Sequence, residues 1–174
     1  MRKLKYDKLF SFYTEEAHVG ELFALLNDLF YDGALPDVHI CLKDLRDVGD
    51  AADLYINGEF RMFRTESGEP TLYLNPNSIM SGPFSNSPRR CFYFLCGYML
   101  HEMCHYYCSL HGVRETDQEG EYHNLKFKDV AMRHGLNVRL SMSHPKEHGY
   151  NSTELSAAAE NAIDAALLAL QQRL

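Results

Sequence analysis

The chain has 174 residues, 45% of them apolar and 24% charged, with a formal net charge of −7. That balance fits one soluble globular domain spanning 1–174, with a core of about 14–140 and a C-terminal helix of about 151–173. The acidic balance argues against broad, nonspecific binding to nucleic acid. The longest apolar run, Cys91 to Leu100, is too short to span a bilayer.

The basic N-terminus lacks the apolar run and small-residue cleavage site of a signal peptide, so none is expected. The five cysteines are odd in number, and four of them fall between 91 and 108. They read as buried apolar groups in a reducing, cytoplasmic compartment, not as a disulfide framework. Arg61, Arg64, the Pro88-Arg89-Arg90 stretch, Lys126 and Lys128 could form a local basic strip or an ordinary solvated surface.

In chain order, residues 14–31 read as an amphipathic helix. Thr14 would be its N-cap, two glutamates would follow, and Leu22, Leu25, Leu26 and Leu29 would form its apolar stripe. Gly33 and Pro36 end it. Val38, Ile40 and Leu42 alternate with polar or small neighbours, which predicts a strand. Residues 54–64 and 71–75 predict two more, with Asn57-Gly58 as a hairpin turn or a bulge.

Residues 76–87 read as loop. Ser87-Pro88 is a helix start with serine as N-cap and proline at the first helical position. The helix should run from 88 to about 110. Phe92, Leu95, Cys96, Met99, Met103 and Leu110 share one face, and the histidines project from roughly the opposite one. Its 91–100 half carries no charge, which predicts burial on nearly every side. Residues 111–122 read as a polar loop and 123–135 as a helix closed by Gly135. A short extended segment at 136–140 and a loop follow. The last helix is expected from Asn151, with Glu154 completing a capping box.

The chemistry sits at His101-Glu102-Met103-Cys104-His105. Histidines four apart on a helix offer two imidazoles to one metal ion. Zinc suits nitrogen ligands, and a catalytic site takes three protein groups and keeps one position for water. Glu102 stands beside the first ligand, where a carboxylate can take the proton of that water and pass it to a leaving amine. The alternative is a buried His-Glu-His cluster bonded to backbone without metal. Such a cluster would place three ionisable groups in the least polar helix, where burial without partners is costly.

The third ligand stays open on the residues alone. His111 has the spacing of the metzincin pattern His-Glu-x-x-His-x-x-Gly-x-x-His, and Met142 could stand for its Met-turn. That pattern needs a glycine where this chain has Cys108. On a continuous helix His111 lies about 15 Å along the axis from His101. Cys108 itself carries a ligating thiol, but nearly two turns away. His123 follows a polar loop long enough to fold back, and it could equally be a helix-capping or surface histidine. His144 and His148 stand behind it as candidates.

Three blocks together resemble SprT-like (Spartan-type) zinc metallopeptidases. They are Leu25 to Leu42 ("LLNDLFYDGALPDVHICL"), Tyr98 to Tyr106 ("YMLHEMCHY") and Tyr122 to Val138 ("YHNLKFKDVAMRHGLNV"). Tyr31 to Pro36 matches the family's F-x-G-x-L-P block, and His123 to Phe127 matches its His-Gly-x-x-Phe block, with Asn124 in place of glycine. The resemblance covers roughly residues 20–140. It implies an α+β zincin-like domain with a small sheet and a buried active-site helix. It also implies Zn²⁺ on His101, His105 and His123, with Glu102 as catalytic base then acid.

The expected function is that of a zinc metalloendopeptidase acting on a protein or peptide substrate. No cysteine follows Cys108, so the zinc ribbon of many family members is absent from this sequence. The acidic charge sets the chain apart from members that act on DNA-bound proteins, and DNA remains a weaker partner expectation. The rival functions are a DNA-associated binding module with a structural or vestigial zinc site, and a metzincin-like protease using His111. Tyr98, Tyr106, Tyr107 and Tyr122 are the nearby candidates for stabilising an oxyanion.

Overall fold

The structure, a computed structural model, describes residues 3–42, 58–61, 69–81, 86–117, 122–142 and 144–173. Its elements in chain order are helices α1 (Tyr6–Tyr13) and α2 (Val19–Tyr31), strands β1 (His39–Leu42), β2 (Gly58–Arg61) and β3 (Thr71–Leu74), then α3 (Pro76–Ser81) and α4 (Pro88–Leu110). There follow α5 (Leu125–Arg133), β4 (Leu136–Arg139), α6 (Pro145–His148), β5 (Ser152–Leu155) and α7 (Ala157–Arg173). The fold is α+β, with two small sheets. Among the described residues no helix is long and apolar enough to cross a membrane.

Everything is arranged around α4. Ser87 caps it by accepting the Arg90 amide on Oγ, and Pro88 occupies the first turn where no amide partner is needed. Phe92, Leu95, Cys96, Met99, Leu100 and Met103 are completely buried along it. The reason is that helices and strands cover it from several directions. Phe10 and Tyr13 of α1 pack on its N-terminal half, with the Tyr13 ring 6.1 Å from Phe92. Leu22, Leu26 and Tyr31 of α2 are buried with its other half, where the Tyr31 hydroxyl lies 3.3 Å from Cys104 Sγ.

The larger sheet has the order β1-β3-β2, with β1 parallel and β2 antiparallel to β3. The block around Gly33 forms a tight exit from α2. Asp32 takes the left-handed conformation at φ 54°, and Asn27 clamps the turn by bonding both the amide and the carbonyl of Leu35. That clamp, buried at one end of α2, delivers the chain into β1.

Several expected elements move. The first helix does not start at Thr14. That residue ends α1, its hydroxyl donating to the Phe10 carbonyl, and α2 begins five residues later. Residues 76–81 are helical instead of loop. Residues 54–57 and 62–64 of the expected second strand, including Asn57, lie outside the described residues.

The Ser152–Glu154 stretch is not a capping box. It is part of β5, antiparallel to β4 with Leu136 opposite Leu155, and the cap of α7 is Ser156, whose Oγ accepts the Ala159 amide. Leu155, Ala159, Ile163 and Leu167 are buried from this region, while Leu170 is 44% exposed. Leu110, expected on the apolar face of α4, is also exposed.

Candidate metal centre

His101 and His105 lie one turn apart on α4, so their rings leave the helix on one side. His123 belongs to no helix. It forms isolated bridges with Thr116 on one side and Gly149 on the other. The Asn124 amide donates to the Glu115 carbonyl at 2.9 Å, and the Asn124 side chain donates to the Arg114 carbonyl at 3.0 Å. On the other side the His123 amide donates to the His148 carbonyl, and the Tyr150 amide donates to the His123 carbonyl. Asn124 also caps α5 by accepting the Lys126 and Phe127 amides. The two ends of the loop after α4 are thus bonded to each other, and the second end returns His123 to the helix.

The three rings form a nearly equilateral triangle, with centroids 5.1, 5.1 and 4.9 Å apart. Their Nε2 atoms converge. His105 Nε2 lies 3.3 Å from His101 Nε2 and 3.0 Å from His123 Nε2. Tetrahedral zinc with Zn–N bonds of about 2.0–2.1 Å places ligand nitrogens about 3.3 Å apart. Two of the three separations are thus close to those around such an ion, and all three donor atoms lie within 4.8 Å of one another.

The outward nitrogens are occupied. His101 Nδ1 is 3.0 Å from Thr153 Oγ1, and His105 Nδ1 is 3.2 Å from Glu115 Oε1. The Glu115 carboxylate only accepts, so His105 donates through Nδ1–H and turns its Nε2 lone pair to the centre, and the Thr153 hydroxyl can accept from His101 in the same way; this is the tautomer a metal needs. Burial first, then the neighbouring His105 and His123 rings, hold His101 well below the usual imidazole range. It is neutral at pH 7 and able to ligate. Phe127 is completely buried and lies against all three rings, with centroids 4.8, 5.0 and 4.5 Å away. It forms an apolar floor that fixes them.

Glu102 follows His101 on α4 and is 4% exposed. Among the described residues, the groups able to hold a metal are His101-His105-His123 and a separate set, His144-Glu147-His148. His111 is in neither. Helix α4 continues past Cys108 to Leu110, and His111 caps it, exposed, with its ring 4.0 Å from Tyr107 and its Nδ1 donating to the Tyr107 carbonyl. Cys108 is completely buried in the apolar core. Burial, then the Glu115 carboxylate, pushes its thiol up to about 12, so it stays protonated.

Of the four tyrosines, Tyr106 is buried, and Tyr107 joins a column with Tyr31, His111 and His134. Tyr122 packs near Gly149. Tyr98 lines a cavity of about 160 Å³ with Phe94, Gly97, Thr153 and Leu155, so that cavity shares Thr153 with the centre.

Glu115 and Thr153 escape a reading of the sequence. Glu115 looks like one more polar loop residue, and Thr153 falls in what reads as a helix start. No local pattern marks either, because each meets its histidine only through the fold. Phe127 is visible in the third block, but not as the floor of the site.

Arg64 lies outside the described residues. Arg89 stays exposed but lies along its own helix, its guanidinium donating to the Tyr93 hydroxyl at 3.0 and 3.1 Å and lying 5.1 Å from the Tyr93 ring centroid. The Lys128 ammonium lies 5.0 Å from the centroid of the Tyr150 ring. No protein-family model, curated protein or solved structure matches the chain.

Proposed function

We propose that this chain is a zinc-dependent peptidase of SprT-like, zincin type, with His101, His105 and His123 as metal ligands and Glu102 as the proton-transfer group. The observation that carries the reading is the convergence of three imidazole Nε2 atoms at 3.0 and 3.3 Å with two of the outward nitrogens already bonded. When bound, zinc supplies Lewis-acid polarisation of a carbonyl and acidifies a water.

The chain's own residues do the rest. Thr153 and Glu115 orient two ligands, and Phe127 excludes water from beneath the rings. The Glu102 carboxylate accepts a proton from the attacking water and returns it to the leaving amine. A peptide or protein is the substrate class, and the thiol-rich sequence fits a reducing, cytoplasmic setting.

The test is metal content and turnover in one series. The wild type should carry about one zinc per chain and cleave an unfolded protein such as casein, and His101→Ala and His105→Ala should lose both properties. Glu102→Gln should keep zinc and fold but not turnover, because an amide cannot take the proton. Equal hydrolysis by wild type and Glu102→Gln would remove Glu102 from the mechanism. Stoichiometric zinc without turnover on any peptide would favour the structural-zinc reading instead, and added DNA would then be the next ligand to test.

A further inference from the structure

The geometry points to a second metal site, at His144, Glu147 and His148, that takes a nitrogen-preferring divalent ion such as Zn²⁺, Ni²⁺ or Cu²⁺ at the protein surface. One ligand atom from each of the three residues lies within 4.8 Å of the others. The two imidazole rings are 5.6 Å apart at nearly right angles. Two imidazoles and a carboxylate form a set that suits first-row metals over magnesium or calcium.

The local chain explains why these three meet. His144 caps α6 and Pro145 occupies its first position, where its fixed φ favours the helical turn. The Glu147 and His148 amides both donate to the His144 carbonyl, at 3.2 and 2.9 Å. That single turn puts positions i, i+3 and i+4 on one side.

The backbone of the turn is held in place, so only the three side chains remain to be ordered by an ion. The His144 amide donates to Ser141 Oγ, and the Ser141 amide donates to the Gly149 carbonyl at 2.8 Å. On the far side the His148 carbonyl accepts the His123 amide at 3.2 Å. A fixed backbone lowers the ordering cost that a histidine pair on a mobile loop would meet. His144 and Glu147 are exposed and His148 is half-buried, so water completes the coordination and the ion enters and leaves freely.

Affinity is therefore well below that of the buried centre, and the site fills only when metal is plentiful. The site does not depend on the peptidase reading.

The test is calorimetric titration of metal-free, tag-free full-length protein with Zn²⁺, followed through a second equivalent. The wild type should show two classes of site. His148→Ala and His144→Ala should each weaken the second class by about tenfold or more and leave the tight one intact. His105→Ala should do the reverse, so failure of the outer site is distinguishable from failure of the buried one. Both outer histidine side chains can be removed without touching the core, and circular dichroism checks the fold. No zinc bound by His105→Ala up to about 1 mM Zn²⁺, or a weak class unchanged in the His144→Ala/His148→Ala double variant, would overturn the proposal.

Discussion

Glu115 gives the sharpest test of how the buried centre is built. Its carboxylate lies 3.2 Å from His105 Nδ1, and both side chains are only 15% exposed. A hydrogen bond to a charged acceptor in such a place contributes about 1.5–3 kcal/mol. With a metal on Nε2, the bond fixes the tautomer and ring angle of His105 and raises its basicity. Glu115→Ala should therefore weaken zinc binding by about 10–100-fold, which is about 1.4–2.7 kcal/mol at 1.36 kcal/mol per decade.

Glu115→Gln keeps an acceptor oxygen and loses the charge, so its loss should fall below that of alanine. The backbone of residue 115 still accepts the Asn124 amide in both variants, so the loop that returns His123 is kept. Competition with a chromophoric chelator at pH 7.5 reads the affinity directly. A change of less than about twofold in Glu115→Ala would mean that His105 is oriented by its helix alone, and the role assigned to Glu115 would be wrong.

Three further outcomes follow from the same geometry. His123→Ala should lower zinc affinity by orders of magnitude, and His111→Ala should leave it unchanged in the same chelator assay; the opposite pattern would restore the metzincin-like arrangement. Gly149→Ala should destabilise the protein and loosen zinc together, because Gly149 sits at φ 57°, ψ −128°, and an added Cβ would run into the His123 carbonyl; unchanged melting and zinc affinity would refute this. In the metal-free protein, burial leads the lowering of both the His101 and His134 pKa values, so the unfolded chain binds more protons than the folded one below about pH 6.5. Stability of the apo form to urea should therefore rise as pH increases towards about 6.5 and level off above it, and a flat or falling profile would contradict the assignment of neutral histidines.

The local features of the chain were legible without the fold. Ser87-Pro88 marks the start of α4, and the absence of charge from Cys91 to Leu100 marks its burial, because capping and hydrophobic patterning are written into neighbouring residues. The spacing of His101 and His105 is likewise a property of one helical turn. The refusal of Cys108 to break that helix also follows from residue type, and it carries His111 away from the pair.

What failed in the sequence are the places where distant partners overrule local preference. Ser152 to Leu155 has the look of a helix start, yet it is a strand because β4 offers it an antiparallel edge, with Leu136 opposite Leu155. Helix α1 has no local signature, because Leu9, Phe10 and Tyr13 have little meaning as a helix until α4 covers them.

The candidate centre divides the same way. Its two helical imidazoles are local, whereas on the residues alone His123 is one of several candidates for the third, and only the resemblance singles it out. The meeting of all three required the bridges of His123 to Thr116 and Gly149. Glu115 and Thr153 reach their histidines across 10 and 52 residues of chain. Contacts at that separation are set by how the chain folds back, and no window of neighbouring residues encodes them.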